Sequence, residues 1–215
     1  MGIHMNHLSL FVVGGGHIFV GYIAVLSELI KSRVEVLCTG EKMKRTIQTI
    51  PNLILTRKPS LSTAAMEKAV SEGKLKSIEL SNYYEPEDFD RLVNATSIKP
   101  ALLQNETHPY HQSKEMQSNI AQYGTVLESW FPLGGRGNTQ TIFNDPTISS
   151  IAAAHGKTSA QIILRWHLQA GNIAIPGSSN PDHIQENCEI FDFELSADEM
   201  AQLTAIDKNE RFADY

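Results

Sequence analysis

Residues 101–130 read ALLQNETHPYHQSKEMQSNIAQYGTVLESW. Ala101–Gln104 is a strand by its short apolar run, Lys114–Tyr123 is helix-compatible, and Thr125–Ser129 is a strand again. The same alternation extends in both directions. Downstream, Thr147–His155 and Ser159–Ala170 read as helices, Asn172–Ile175 as a strand, and a helix starts at Pro181. Upstream, Pro86–Asn94 is a helix, Ser77–Leu80 a strand, and Ala64–Ser71 a helix that ends before Gly73. Before Pro59 the pattern is β-α-β-α-β: Leu8–Val13, Phe19–Ile30, Val34–Cys38, Glu41–Ile50 and Asn52–Thr56. Strict alternation predicts an α/β fold with a parallel sheet covered by helices, and seven strands are counted. Three helix starts are well signed. Thr158-x-x-Gln161 and Ser196-x-x-Glu199 are capping boxes, and Asn180-Pro181 is an N-cap followed by proline.

The chain has 215 residues, enough for a sizeable core. A closed barrel of eight strands and eight helices usually takes about 250 residues, so the chain is short by roughly one strand–helix unit. With 18 basic and 24 acidic residues the net charge is −6, which argues against a nucleic-acid partner. The charge is unevenly spread. Residues 1–62 carry seven Lys or Arg and three Glu, whereas residues 63–215 carry eleven and twenty-one acids. No aspartate precedes Asp88. Met1–His4 reads as a cloning scar, 5–62 as an atypical segment and 63–215 as a second segment, together forming one structural domain. Cys38 and Cys188 form no metal pattern and suit a reducing cytoplasm. Leu8–Ser27 lacks any charged residue, but Gly14-Gly15-Gly16 interrupts it, so a strand, a turn and a buried helix are expected rather than a membrane span.

Several strings in the second segment resemble the aldo-keto reductase family. They are Ser81-Asn82-Tyr83, Gln104 to Tyr110, Glu128-Ser129-Trp130-Phe131-Pro132-Leu133-Gly134, His155-Gly156-Lys157-Thr158, Ile163 to Leu168, Ile175 to Asn180, Glu186-Asn187 and Phe191-Asp192-Phe193. Their order and spacing carry the resemblance across about residues 63–210. It implies a TIM-barrel-like fold and an NAD or NADP cofactor lying extended over the C-terminal rim. Ser81, Asn82 and Gln104 would then hold the nicotinamide carboxamide, and Trp130 would stack on its ring. The turn from Phe131 through Leu133 to Gly135 would follow the pyrophosphate. Ser178, Ser179, Asn180, His183, Glu186 and Asn187 would surround the adenosine end. Side chains with both donors and acceptors suit a carboxamide, and an aromatic platform fixes a ring plane. The implied reaction is reduction of a small carbonyl substrate, an aldehyde or ketone. A homo-oligomer is compatible with the sequence.

The same resemblance marks what is missing. The family's Asp, Tyr, Lys and His tetrad comes from the first half of the barrel. Here Tyr22 lies in an apolar helical run, Gly40 falls at the lysine position and Arg57 at the histidine position. No catalytic residue is therefore assigned, and reductase activity is expected to be absent or weak. A non-catalytic nucleotide-binding or scaffold protein, or a truncated or rearranged barrel, remains an alternative reading. Gly14-Gly15-Gly16-His17 is itself similar to a loop of GT-B glycosyltransferases.

Two further departures concern single positions. Glu79 stands where relatives usually have glycine. Strand parity places it on the face of Ser81, inside the barrel, so either the interior is open and wet or Glu79 has a cationic partner, for which Arg57 on the neighbouring strand is the candidate. At the adenosine end, Gly177 and His183 replace the usual Lys and Arg, which weakens the case for NADP.

Overall fold

The computed structural model describes residues 12–13, 59–135 and 137–213. In chain order the elements are β1 (Val12–Val13), α1 (Pro59–Ser71), β2 (Glu79–Ser81), α2 (Pro86–Asn94), β3 (Leu102–Glu106) and α3 (Lys114–Ala121). They continue with β4 (Val126–Trp130), α4 (Thr139–Phe143), α5 (Pro146–His155), α6 (Ser159–Gln169), β5 (Ile173–Ala174), α7 (Pro181–Cys188) and α8 (Ala197–Ala205). The strands form one sheet in the order β1-β2-β3-β4-β5, and every pairing is parallel. The four strands expected after Ser77 are all present, displaced by one or two residues. The short helix α4 was not expected. The expected strands at Val34–Cys38 and Asn52–Thr56, with Tyr22, Gly40 and Arg57, lie outside the described residues.

The pleat divides β2, β3 and β4 into two unlike faces. Leu80, Leu103 and Leu127 point to the helix layer. There they meet Phe89, Leu92 and Val93 of α2 and Met116 and Ile120 of α3, all buried. The helix residues recur at spacings of three and four, so each helix lays one stripe on the sheet. A second core joins α5, α6 and α8 through Ile148, Ile151, Ile162, Ile163, Trp166 and Leu203. Its helices are anchored as the sequence indicates: both capping boxes are formed, and the Asn180 side chain accepts from Asp182 N at 3.0 Å.

The opposite face is polar. Register and parity put Glu79 and Ser81 beside Leu102, Gln104 and Glu106, then Val126, Glu128 and Trp130. Glu79, Glu106 and Glu128 are at most 1 % exposed. Glu79 thus faces inward as parity requires. Arg57, its candidate partner, lies outside the described residues; among those described, Glu128 bears on it. β1 takes the register place beside Glu79. Burial, and then the nearby Glu128, push the Glu79 carboxyl up to about 10. It is protonated at neutral pH.

His167 is the opposite case. It is fully buried between α6 and β4, where Ser129 Oγ lies 3.3 Å from Nδ1 and Pro132 O 3.4 Å from Nε2. Burial pushes it down to about 3 despite the Pro132 carbonyl. The neutral ring matches this pair of contacts, with Nε2–H donating and Nδ1 accepting.

Linkage gives these groups opposite signs. Between the ordinary 4.5 and about 10, unfolding releases the Glu79 proton, so stability falls as pH rises. Between about 3 and the ordinary 6.5, unfolding lets His167 take up a proton, so stability falls as pH drops. Each slope is bounded by about 1.4 kcal/mol per pH unit. Thermal unfolding followed against pH should show both arms. Glu79→Gln should flatten the alkaline arm and leave the acid arm; an unchanged alkaline slope would show that Glu79 ionises freely in the folded chain.

Candidate active site

The candidate residues gather at the C-terminal ends of the strands, where a parallel sheet opens its ligand crevice. Ser81 ends β2 and is register partner of Gln104 on β3, which in turn faces Glu128 on β4. Trp130 ends β4, two residues beyond Glu128 on the same face. Asn82 follows β2 with φ 63°, a left-handed conformation that asparagine tolerates. Its backbone N–H donates to Gln104 O at 3.0 Å and locks the turn to β3.

Two amides in this group have a fixed polarity. Tyr84 Oη donates to Asn82 Oδ1 at 3.4 Å, and Gln104 Nε2 donates to Glu128 Oε1 at 2.5 Å. Asn82 Nδ2 and Gln104 Oε1 are left without a hydrogen bond among the described residues, as is Ser81 Oγ. The rim therefore offers an N–H donor, a carbonyl acceptor and a hydroxyl. That donor set fits a planar carboxamide, which carries one acceptor and one N–H₂ group.

Tyr84 is the hub that sequence reasoning missed. Its hydroxyl accepts from Glu106 N at 3.1 Å, and Arg211 lies 3.7 Å from its ring. Glu106 lies beneath it. Burial would raise this carboxyl, but His108, at 3.0 Å, and the backbone N–H groups of Phe212 and Ala213, at 2.5 and 3.1 Å, outweigh burial and hold it low. His108 is fully buried and stacked on Phe212 with centroids 4.4 Å apart. The C-terminal segment is thereby strapped to the end of β3. The signal available in the sequence was the parity of Glu106 with Gln104; the partners, about 106 residues later, left none.

The turn after Trp130 is tightly made. Phe131 has φ 53°, and Gly134 and Gly135 have φ 85° and 67°. A Cβ on Gly135 would lie 2.5 Å from the Phe131 ring. The Phe131 ring also meets Trp130 at 4.2 Å. Leu133 is half-buried against the α5–α6–α8 core. From below, His167 grips Ser129 and Pro132, so both ends of the turn are tied to α6.

The remaining candidates lie after β5. Ser178 Oγ accepts from Asn180 N at 3.1 Å. Ser179, Asn180 and His183 are exposed, and Ser178, Glu186 and Asn187 are half-buried. α7 buries no residue, and Gln161 Nε2 ties its C-terminal end down by donating to Glu186 O and Glu189 O at 3.3 and 3.0 Å. Gly177 borders open space. Among the described residues there is no cluster suited to a metal ion, and no helix long and apolar enough to cross a membrane.

Comparison with known proteins places this arrangement. The profile of the aldo/keto reductase family matches residues 59–208. An aldo-keto reductase of Mycobacterium sp. (strain KMS) is 40 % identical over 147 residues, 68 % of this chain and 51 % of its own length. Morphine 6-dehydrogenase of Pseudomonas putida is 40 % identical over 159 residues, 70 % and 53 %. The chain spans about half the length of these relatives. Among solved structures, an aldo/keto reductase from Brucella melitensis superposes with a TM-score of 0.62 at 40 % identity, covering 67 % of this chain and 53 % of that one. A mutant of Gox0644 in complex with NADPH gives 0.63 at 37 % identity, covering 68 % and 52 %. From Pro59 to Lys208, this chain belongs to the aldo/keto reductase family.

Proposed function

We propose that residues 63–210 are the dinucleotide-binding half of an aldo-keto reductase barrel, able to hold NAD or NADP at the strand ends, while carbonyl reduction by this chain is absent or weak. The observation that carries this reading is the rim trio: Ser81 hydroxyl, Asn82 Nδ2 and Gln104 Oε1, their amide polarities set by Tyr84 and Glu128. The nicotinamide would supply a hydride to a carbonyl carbon. The chain's residues supply orientation. Asn82 and Gln104 select one face of the carboxamide, Trp130 gives a ring platform packed on Phe131, and the Phe131–Gly135 turn follows the pyrophosphate.

At the adenosine end, Ser178, Ser179 and Asn180 lead into α7, where His183, Glu186 and Asn187 face solvent or lie half-buried. Asp182 sits in the first turn of that helix, and Gly177 is without a side chain. Among the described residues of this segment a 2′-phosphate finds no fixed cation, which favours NAD over NADP. Orientation without an identifiable proton donor supports binding ahead of turnover.

Titration of the purified chain with NADH and NADPH, followed by tryptophan fluorescence, tests the reading. The chain has two tryptophans, and Trp166 is only 3 % exposed in the helical core. Both dinucleotides should quench the emission, NADH at the lower concentration, and Trp130→Phe should remove most of the quench. No quench with either would overturn the reading. Carbonyl-dependent oxidation of either dinucleotide, abolished in Tyr22→Phe, would overturn the expected lack of catalysis. In Gly135→Ala the new Cβ must displace the Phe131 ring. Binding of both dinucleotides should weaken roughly tenfold, about 1.4 kcal/mol; unchanged affinity would remove the turn from the site.

A further inference from the structure

Glu79 and Glu128 are each 1 % exposed. Neither Glu79 oxygen, nor Glu128 Oε2, finds a donor among the other described groups. Glu79 on β2 and Glu128 on β4 lie on the same face, on either side of Gln104, and bear on one another; among the described residues the Gln104 amide is bonded to the pair, its Nε2 donating to Glu128 Oε1 at 2.5 Å. No cation among the described residues bears on either carboxyl. Two ionised carboxylates would repel at this separation in a buried site. One proton between them converts the contact into a short charge-assisted hydrogen bond. The remaining negative charge then sits on Glu128, facing Gln104.

We propose that Glu79 and Glu128 share one proton and act as positioning residues, locking the Gln104 amide with its Oε1 turned to the rim as an acceptor. An unrestrained glutamine amide presents either its oxygen or its N–H₂ group to a ligand, and the two orientations have opposite polarity. A carboxylate accepts only, so Glu128 excludes the orientation that would turn Gln104 Oε1 toward it. Glu79 supplies the proton that keeps the two carboxyls together. The device selects ligands that donate an N–H₂ at this point, which a nicotinamide does and ADP-ribose does not. The inference rests on the proposed dinucleotide site, but the amide lock exists in the unliganded chain and is measurable there.

Two measurements separate the lock from the binding reading. The first is the Gln104 side-chain amide signal in ¹⁵N-labelled unliganded protein, identified as the pair lost in Gln104→Ala. It should exchange slowly with solvent in the wild type and quickly in Glu128→Gln, which can either accept or donate. Fast exchange in the wild type would overturn the lock. The second is affinity for NADH against ADP-ribose, which lacks the carboxamide. Glu128→Gln should weaken NADH roughly tenfold and leave ADP-ribose unchanged. Equal weakening of both, or of neither, would overturn the role in carboxamide recognition. Glu79→Leu should lose the same NADH preference and Glu79→Gln, which keeps a donor toward Glu128, should restore it. If the wild type binds neither ligand, the proposed function fails, and the exchange measurement still decides the lock.

Discussion

Strand parity is the constraint on which the rest of the molecule depends. In β2, β3 and β4 each leucine at 80, 103 and 127 commits the residues on either side of it to the opposite face. The helix side can be wholly apolar because α2 and α3 supply Phe89, Leu92, Val93, Met116 and Ile120 against it. The other side must then carry Glu79, Ser81, Gln104, Glu106, Glu128 and Trp130 together. A shift of one residue in any of the three strands would bury that polar set in the helix layer and expose the leucines, so register is strongly specified. The candidate site is thus a consequence of the same alternation that builds the core.

Three buried carboxyls on one face need three different accommodations, and the fold provides them. Glu106 stays ionised because a histidine and two backbone N–H groups surround it. Glu79 gives up its charge. Glu128 sits between, accepting from the Gln104 amide against the upward push of burial. The Glu106 solution draws the C-terminal segment across the sheet end and places Arg211 over Tyr84. Tyr84 in turn holds Asn82. Charge accommodation beneath the rim therefore sets the side-chain orientations at the rim.

Much of this was legible in the sequence, and the reasons differ by residue. The helices at 86–94 and 159–169 were readable to within a residue because their starts carry chemistry, Pro86 in one and the Thr158–Gln161 box in the other. Strand ends were less clear, since Asn105, Glu106 and Trp130 extend β3 and β4 with residues whose polarity resembles a loop. Helix α4 has five residues and no signed cap. Glu79 was placed inward by parity alone, and it is buried on the face of Ser81 and Gln104. Glu128, the described group that bears on it, is a like charge two strands away, and such a pair has no signature in a sequence. Tyr84 and His167 act through contacts with 106 and 132, and such long-range pairs have no local signature.

The placement of Glu79 also bears on how the inner face can be filled. Closed barrels of this type pack their interiors with layers of side chains drawn from alternate strands. Where resemblance leads one to expect glycine, the layer gains a carboxyl side chain and a proton that must stay with it. Space for that group has to come from the same layer, which the first part of the barrel shares. Here the register place beside Glu79 is taken by Val12–Val13, from the segment that least resembles the family. The departure at position 79 therefore meets the first segment in one backbone register, through Val12 and Val13. The rim residues above that layer keep their placement, because Ser81, two residues along, points to the same face and ends the strand.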